Sequence, residues 1–134
     1  MKILCTYCAG RKRPGSRPLP AIRRYLSPRI AELHREARRR GSAWAFRIVS
    51  GRYGLLAPET PLPWYDHLLR EDEVPAMAAE IAAALSRDRA THVEYHTADP
   101  FRLRQVAPYH QALVQACALS GIPVDVVLLP GDPD

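Results

Sequence analysis

Long apolar runs are missing from these 134 residues. None approaches the ~18 residues that a membrane-spanning helix needs, so no membrane partner is expected. Cysteine is scarce and odd in number: three do not make the disulfide framework of a small secreted protein. Met1-Lys2-Ile3-Leu4 enters an apolar run at once, so no signal peptide is expected and the cytoplasm is the default location. Internal repeats and low-complexity tracts are absent from the sequence. Acid is sparse in the first half: residues 1–60 carry 3 Asp/Glu against 14 Lys/Arg, while residues 61–134 carry 11 against 5. Lysine is nearly lacking too, since 17 of the 19 basic residues are arginine. Arginine suits planar, bidentate contact with phosphate, and a polarised basic half attracts anions of many kinds. High arginine beside high alanine and proline is equally the product of a GC-rich genome.

What is there fits one soluble domain. The length suits a single core, and 47% hydrophobic with 25% charged residues is an ordinary globular balance. One α/β domain is expected over 1–130, with a frayed tail at 131–134. Lys2 to Tyr7 reads as a buried strand. Ala9 to Pro20 is a loop, broken by Gly10, Pro14, Gly15, Pro18 and Pro20. Ser27 reads as an N-cap with Pro28 at the first helical position. That helix carries Ile30, Leu33, His34 and Ala37 on one face and ends at Gly41, after three arginines. Strands are expected at 44–49, 91–96 and 124–129, with helices opening at Glu71 and running from Gln105 to Ser120. The β-α-β-α-β-α-β order predicts a three-layer α/β/α domain with a short four-stranded parallel sheet, Rossmann-like or uracil-DNA-glycosylase-like in class.

The loop from Ser50 to Leu69 is the most informative segment. It holds Ser50, Gly51, Tyr53, Gly54, Tyr65, Asp66 and His67, with few residues suited to a helix or strand. Long structureless loops inside compact domains are uncommon and often functional. In a parallel sheet the C-terminal strand ends share one edge, where ligands bind. Tyr7-Cys8, Ser50-Gly51 and His96-Thr97-Ala98-Asp99 should meet there. Cys8 is a candidate reactive thiol beside Arg11, Lys12 and Arg13, whose charges would lower its pKa. Ser50 is a candidate for holding a phosphate or carbonyl, and Gly51 and Gly54 permit close backbone approach. Tyr53 and Tyr65 offer stacking faces. Asp66 is the leading general acid/base candidate and His67 the second. The alternative for this loop is a glycine-rich turn with Asp66 capping a helix near Leu68. Thr97 and Asp99 complete the predicted rim, and His96 is a further candidate to reach the pocket.

Cys5-x-x-Cys8 lacks the two further ligands a zinc site needs, so no metal and no cofactor are expected. Cys5-x5-Arg11 also fits the phosphate cradle of tyrosine phosphatases, and Asp99-Pro100-Phe101 resembles the acid loop of their low-molecular-weight members. Against that match, Cys5 falls inside the strand, and Lys12 stands where a Ser or Thr is usual.

Cys8-x3-Lys12, Pro20-Ala21-x3-Tyr25-x-Ser27-Pro28, the run Trp44 through Val49-Ser50-Gly51-x-Tyr53-Gly54-Leu55-Leu56, and Tyr65-Asp66 together resemble a small bacterial and phage domain family. That family is distantly related to the peroxide-stress protein YaaA and to the core domain of archaeal archaeosine synthases. The resemblance covers roughly residues 2–70. It implies a fold like that of uracil-DNA glycosylases and a role with nucleobases, nucleotides or nucleic acid. By position, the family's recurrent polar residues fall on Cys8, Lys12, Tyr25, Ser27, Ser50, Tyr53, Tyr65 and Asp66. Tyr7 stands where the family usually has a small residue, which would narrow the pocket. The leading expectation is a nucleotide-binding domain; as an enzyme it would cleave an N-glycosidic bond, with Asp66 catalytic and Lys12 with Arg11 on phosphate. The alternatives are a non-catalytic nucleic-acid binder and a Cys5 phosphatase.

Overall fold

The computed structural model describes residues 1–131. It is a mixed α/β fold with a five-stranded, mostly parallel sheet and four helices. Of the expected tail at 131–134, residues 132–134 lie outside the described residues. Strand β1 (Lys2–Tyr7) is central and wholly buried beyond Lys2. It pairs in parallel with β3 (Trp44–Ser50) on one side and β6 (His92–Thr97) on the other. β7 (Val124–Leu128) extends the sheet beyond β6 in parallel. All four expected strands are therefore present.

The sheet has a fifth strand that the sequence reading placed in a loop. β4 (Gly54–Leu56) turns back antiparallel on β3, with Ser50 opposite Gly54 and Ile48 opposite Leu56. Three residues are too few to show a period of two, but Leu55 and Leu56 are both buried. A second, two-stranded ribbon joins β2 (Leu19–Pro20) to β5 (Pro61–Leu62), again inside stretches read as loops.

Helix α1 (Ala21–Arg24) is one short turn, and α2 (Pro28–Arg39) follows the predicted cap. Ser27 Oγ accepts the Ile30 N–H at 3.1 Å, and Pro28 occupies the first turn, where its missing N–H is harmless. α3 (Val74–Arg87) buries an apolar stripe of Val74, Met77, Ala78, Ile81 and Leu85. Each of the larger of these stabilises the fold by roughly 1.5–3 kcal/mol through burial. Glu71–Glu73 forms a 3₁₀ turn ahead of α3, and α4 (Ala107–Ser120) ends at left-handed Gly121 (φ 66°).

Helices cover both faces of the sheet, and alternation along the strands shows how. Phe46 on β3 meets His34 of α2, whereas its neighbour Arg47 pairs with Asp88 at the end of α3. On β6, Glu94 meets Arg40 beside α2, whereas Tyr95 faces His110 of α4. No helix among the described residues is long and apolar enough to cross a membrane.

Candidate functional site

The chain leaves β1 toward β3 on one side and later returns to the other side of β1 as β6. That reversal makes the C-terminal end of β1 the switch point, the usual ligand position in such sheets. Cys8 continues the β1–β3 ladder, its N–H donating to Val49 O at 2.9 Å. The following loop then doubles back against the end of α1. Arg13 N–H donates to Arg24 O, and Leu26 N–H to Arg11 O, so Lys12 lies opposite Tyr25 in an antiparallel bridge. Successive side chains of extended backbone point to opposite faces. Lys12 therefore turns inward, and Arg11 and Arg13 turn out to solvent. The expected Lys12–Arg11 phosphate pair is not formed by one surface.

Two buried arginines hold this arrangement, and nothing in the sequence marked them. Arg24 is fully buried. Its guanidinium donates to Leu62 O at 3.2 Å, Arg13 O at 2.5 Å and Arg17 O, tying the proline-rich loop to β5. Arg29 of α2 donates to Thr6 Oγ1 and Tyr7 O, each at 2.7 Å, and to Cys8 O at 3.1 Å. It also stacks 3.8 Å from the Tyr7 ring centre. Together these fix the end of β1 and the first turn of the loop. Arginine suits both places because its planar fork presents several donors at once.

Under Lys12 lies a chain of hydroxyls. Tyr25 and Tyr65 share a 2.6 Å hydrogen bond, and Tyr65 is 2.9 Å from Ser50 Oγ. Ser50 Oγ also accepts the N–H groups of Arg52 (3.2 Å) and Tyr53 (3.0 Å), which shapes the β3–β4 turn. Burial pushes the Tyr25, Tyr65 and Tyr109 hydroxyls up from the usual phenol range. The unfolded chain therefore loses these protons first once pH passes about 10. Their contribution to stability is complete below that pH and is expected to fall as pH rises above it. Thermal melts at increasing pH check this; phenolate absorbance from these rings should appear with unfolding, not before it.

Four predicted residues meet at one cleft of about 340 Å³: Cys8, Lys12, Asp66 and His67. Lys12 Nζ stands 4.4 Å from the Tyr65 ring centre and 5.9 Å from that of Tyr25. Burial lowers its pKa, opposed by the Cys8 thiol and the Asp66 carboxyl nearby. Asp66 is exposed at the lip and makes no hydrogen bond or ion pair among the described residues. His67 Nε2 donates to the Glu73 carboxylate, 2.8 Å away. Facing them are Tyr7, Gln105 and Tyr109, the two tyrosine rings 6.3 Å apart. Asp66 and His67 also edge a neighbouring groove lined by Asp72, Glu73 and Glu80. A larger groove, about 760 Å³, runs beside α2 and Leu129–Gly131 and contains none of the predicted site residues.

Several expectations are corrected here. Ser50 is fully buried, so its hydroxyl is a strut and reaches no substrate. Tyr65 is 3% exposed and covered by Lys12, so it offers no stacking face; Tyr25 is equally buried. Tyr53 stays at the surface, edge-on to Tyr65. Ser27 acts as the α2 cap and does not line the cleft. Gly51 serves packing: a Cβ there would sit 2.7 Å from Tyr109 Oη and 2.8 Å from His67 O. Gly54 takes φ 78° at the start of β4. Thr97 is buried with its hydroxyl on Ala98 O, and Asp99 Oδ1 accepts the Phe101 N–H in a local turn. His96 points to the α2 face and pairs with Glu94 at 2.7 Å. Asp66 caps no helix, because residues 63–70 are irregular and Glu73 supplies the carboxylate at the following turn. Cys5 is fully buried in mid-strand, where burial raises its thiol pKa, and Arg11 lies outside the cleft. That geometry denies a Cys5 phosphatase both access and a thiolate.

The cleft aromatics Tyr7 and Tyr109 are the residues that sequence reasoning underused. The sequence places Tyr7 at the rim and gives it the role of narrowing the pocket, with no contact to a ligand. Tyr109 carried one signal, an aromatic in the first turn of a helix that begins at the rim. No family model, curated protein or solved structure matches this chain, and nothing in those comparisons links it to YaaA or to the archaeosine synthases.

Proposed function

We propose that the cleft binds a nucleotide, or a base within a nucleic acid, and that Asp66 acts on its N-glycosidic bond. The observation that carries this reading is the convergence on one small cleft of two tyrosine rings, one inward cation and one carboxylate without a partner. About 340 Å³ lies at the low end of ligand pockets, which run about 300–1,000 Å³. A base with its sugar fits that scale. Tyr7 and Tyr109, only 6% and 3% exposed, wall the cleft and give the base a narrow apolar contact, and the hydroxyl chain beneath Lys12 keeps the floor rigid. Asp66, open to solvent, can exchange a proton with the leaving base or with attacking water. On this reading the sheet belongs with the Rossmann-like or uracil-DNA-glycosylase-like arrangements, and the family resemblance points the same way.

A second reading, a non-catalytic nucleic-acid binder, is favoured by one feature. The first acidic residue is Glu32, and Arg11, Arg13, Arg17 and Arg23 are all exposed on the loop and α1. Thermal-shift measurements with bases, nucleosides, nucleotides and oligonucleotides at two salt concentrations separate the readings. Pocket binding predicts a salt-tolerant shift from one small nucleotide class. Binding through phosphates alone predicts a shift only with oligonucleotides, lost at moderate salt. With a responding substrate in hand, Asp66→Asn is expected to slow glycosidic cleavage by about 10²–10⁴. Full activity in Asp66→Asn would remove the catalytic assignment.

A further inference from the structure

Lys12 is an anomaly of composition as well as of place. Of 19 basic residues only Lys2 and Lys12 are lysine. A site that needed only a fixed positive charge would be served by arginine, which this chain uses at every other basic position except Lys2. Lysine differs in that it can lose its proton and become a nucleophile. Burial favours that state, while the ring faces beneath Lys12 and the Asp66 carboxyl oppose it. Lys12 Nζ makes one weak hydrogen bond, to Gly10 O at 3.4 Å, and no ion pair among the described residues. It sits half-buried on the Tyr65 and Tyr25 rings at the cleft floor, where the cleft's other titratable groups are Cys8, Asp66, His67, Tyr7 and Tyr109. Burial shifts its proton affinity downward, as a nucleophilic amine requires.

We infer that Lys12 is an amine nucleophile that takes the sugar C1′ of the substrate as a Schiff base. The inference rests on the N-glycosidic reading above and names the covalent step. Lys12 first passes a proton to the Asp66 carboxylate through water, the two groups being beyond ion-pair distance. The neutral Nζ attacks C1′; the N-glycosidic bond breaks, its electron pair leaves with the base, and the base nitrogen takes the proton from Asp66. The Nζ now bonded to C1′ returns a proton to Asp66. Its lone pair then forms the C1′=N bond as the C1′–O4′ bond breaks, and O4′ takes that proton. Water adds to the iminium carbon, its proton goes to Asp66, and the aldehyde sugar departs, restoring the free amine. The sum is one water consumed per base released.

The test uses the intact protein with ribose 5-phosphate and with an abasic oligonucleotide, each in the presence of cyanoborohydride, which reduces an iminium to a stable amine. Peptide mapping is expected to find the adduct on Lys12, formed on the order of tenfold faster than on Lys2. Lys12→Arg and Lys12→Met should both lose it, and Lys2→Arg should keep it. Equal labelling of the two lysines, or no adduct on Lys12 with either probe, would overturn the inference. In that event a nucleotide thermal shift of the unaltered protein still upholds the binding reading. Absence of any such shift, with Lys12 still trapped, keeps the nucleophile and removes the nucleotide.

Discussion

Arg24→Ala is expected to destabilise the protein by about 3 kcal/mol, a drop in Tm of roughly 10 °C. The guanidinium is fully buried and serves three carbonyls, those of Leu62, Arg13 and Arg17. Removing it leaves these acceptors without their donor and leaves a hole the size of a long side chain. The loop it staples carries Lys12, so the site should loosen with it. Arg24→Met keeps most of the volume and should behave nearly as badly, which separates lost hydrogen bonds from lost packing. Arg23→Ala, one residue away and exposed, should stay within about 0.5 kcal/mol. Denaturant melts measure the stabilities. Limited trypsin digestion reads the loop, because Arg11 and Lys12 precede residues other than proline, unlike Arg13 and Arg17. Unchanged stability and protection in Arg24→Ala would show that the staple contributes nothing.

Gly51→Ala is expected to cost about 2–3 kcal/mol and, on the function proposed above, to abolish nucleotide binding in the cleft. The added methyl would meet Tyr109 Oη at 2.7 Å, His67 O at 2.8 Å and Leu69 N at 3.1 Å. Two of those atoms are backbone, so rotamer changes cannot relieve the clash. The segment carrying Asp66 and His67 must lift from the end of β3, and Leu69 N–H must leave the Tyr109 hydroxyl, its partner at 3.1 Å. One methyl thus separates the two walls of the site. Gly10→Ala is the control, since nothing lies within 4 Å of a Cβ there. Melts together with the nucleotide thermal shift decide the matter. A Gly51→Ala protein with wild-type stability and binding would mean that the Asp66 segment does not pack on β3.

Local chemistry made much of the fold legible. Ser27-Pro28 marked the start of α2 because a cap acts within three residues, and Gly121 marked the end of α4 because a left-handed turn favours glycine. The β1, β3, β6 and β7 strands were legible as apolar runs between helices. Strand order alone placed Tyr7 and Cys8 at the rim, since parallel strands set their C-terminal ends together, but Ser50, Thr97 and Asp99, expected there by the same rule, do not line the cleft. Three decisions belonged to the tertiary structure. β4 exists because Gly54–Leu56 finds a partner in β3, a contact that three residues cannot announce. Arg23 and Arg24 are the same residue type side by side, yet one is exposed and the other fully buried, because only Arg24 reaches three carbonyls brought in from elsewhere in the chain. Tyr65 and Ser50 became struts while Tyr7 and Tyr109 became cleft walls, because side-chain direction at the rim depends on what packs behind each residue. Local propensity and caps set which segments form the long helices and central strands, and strand order set the edge on which the candidate cleft lies. Which polar residues on that edge face the cleft was decided by contacts between segments far apart in the chain, which leave no periodic trace in either segment.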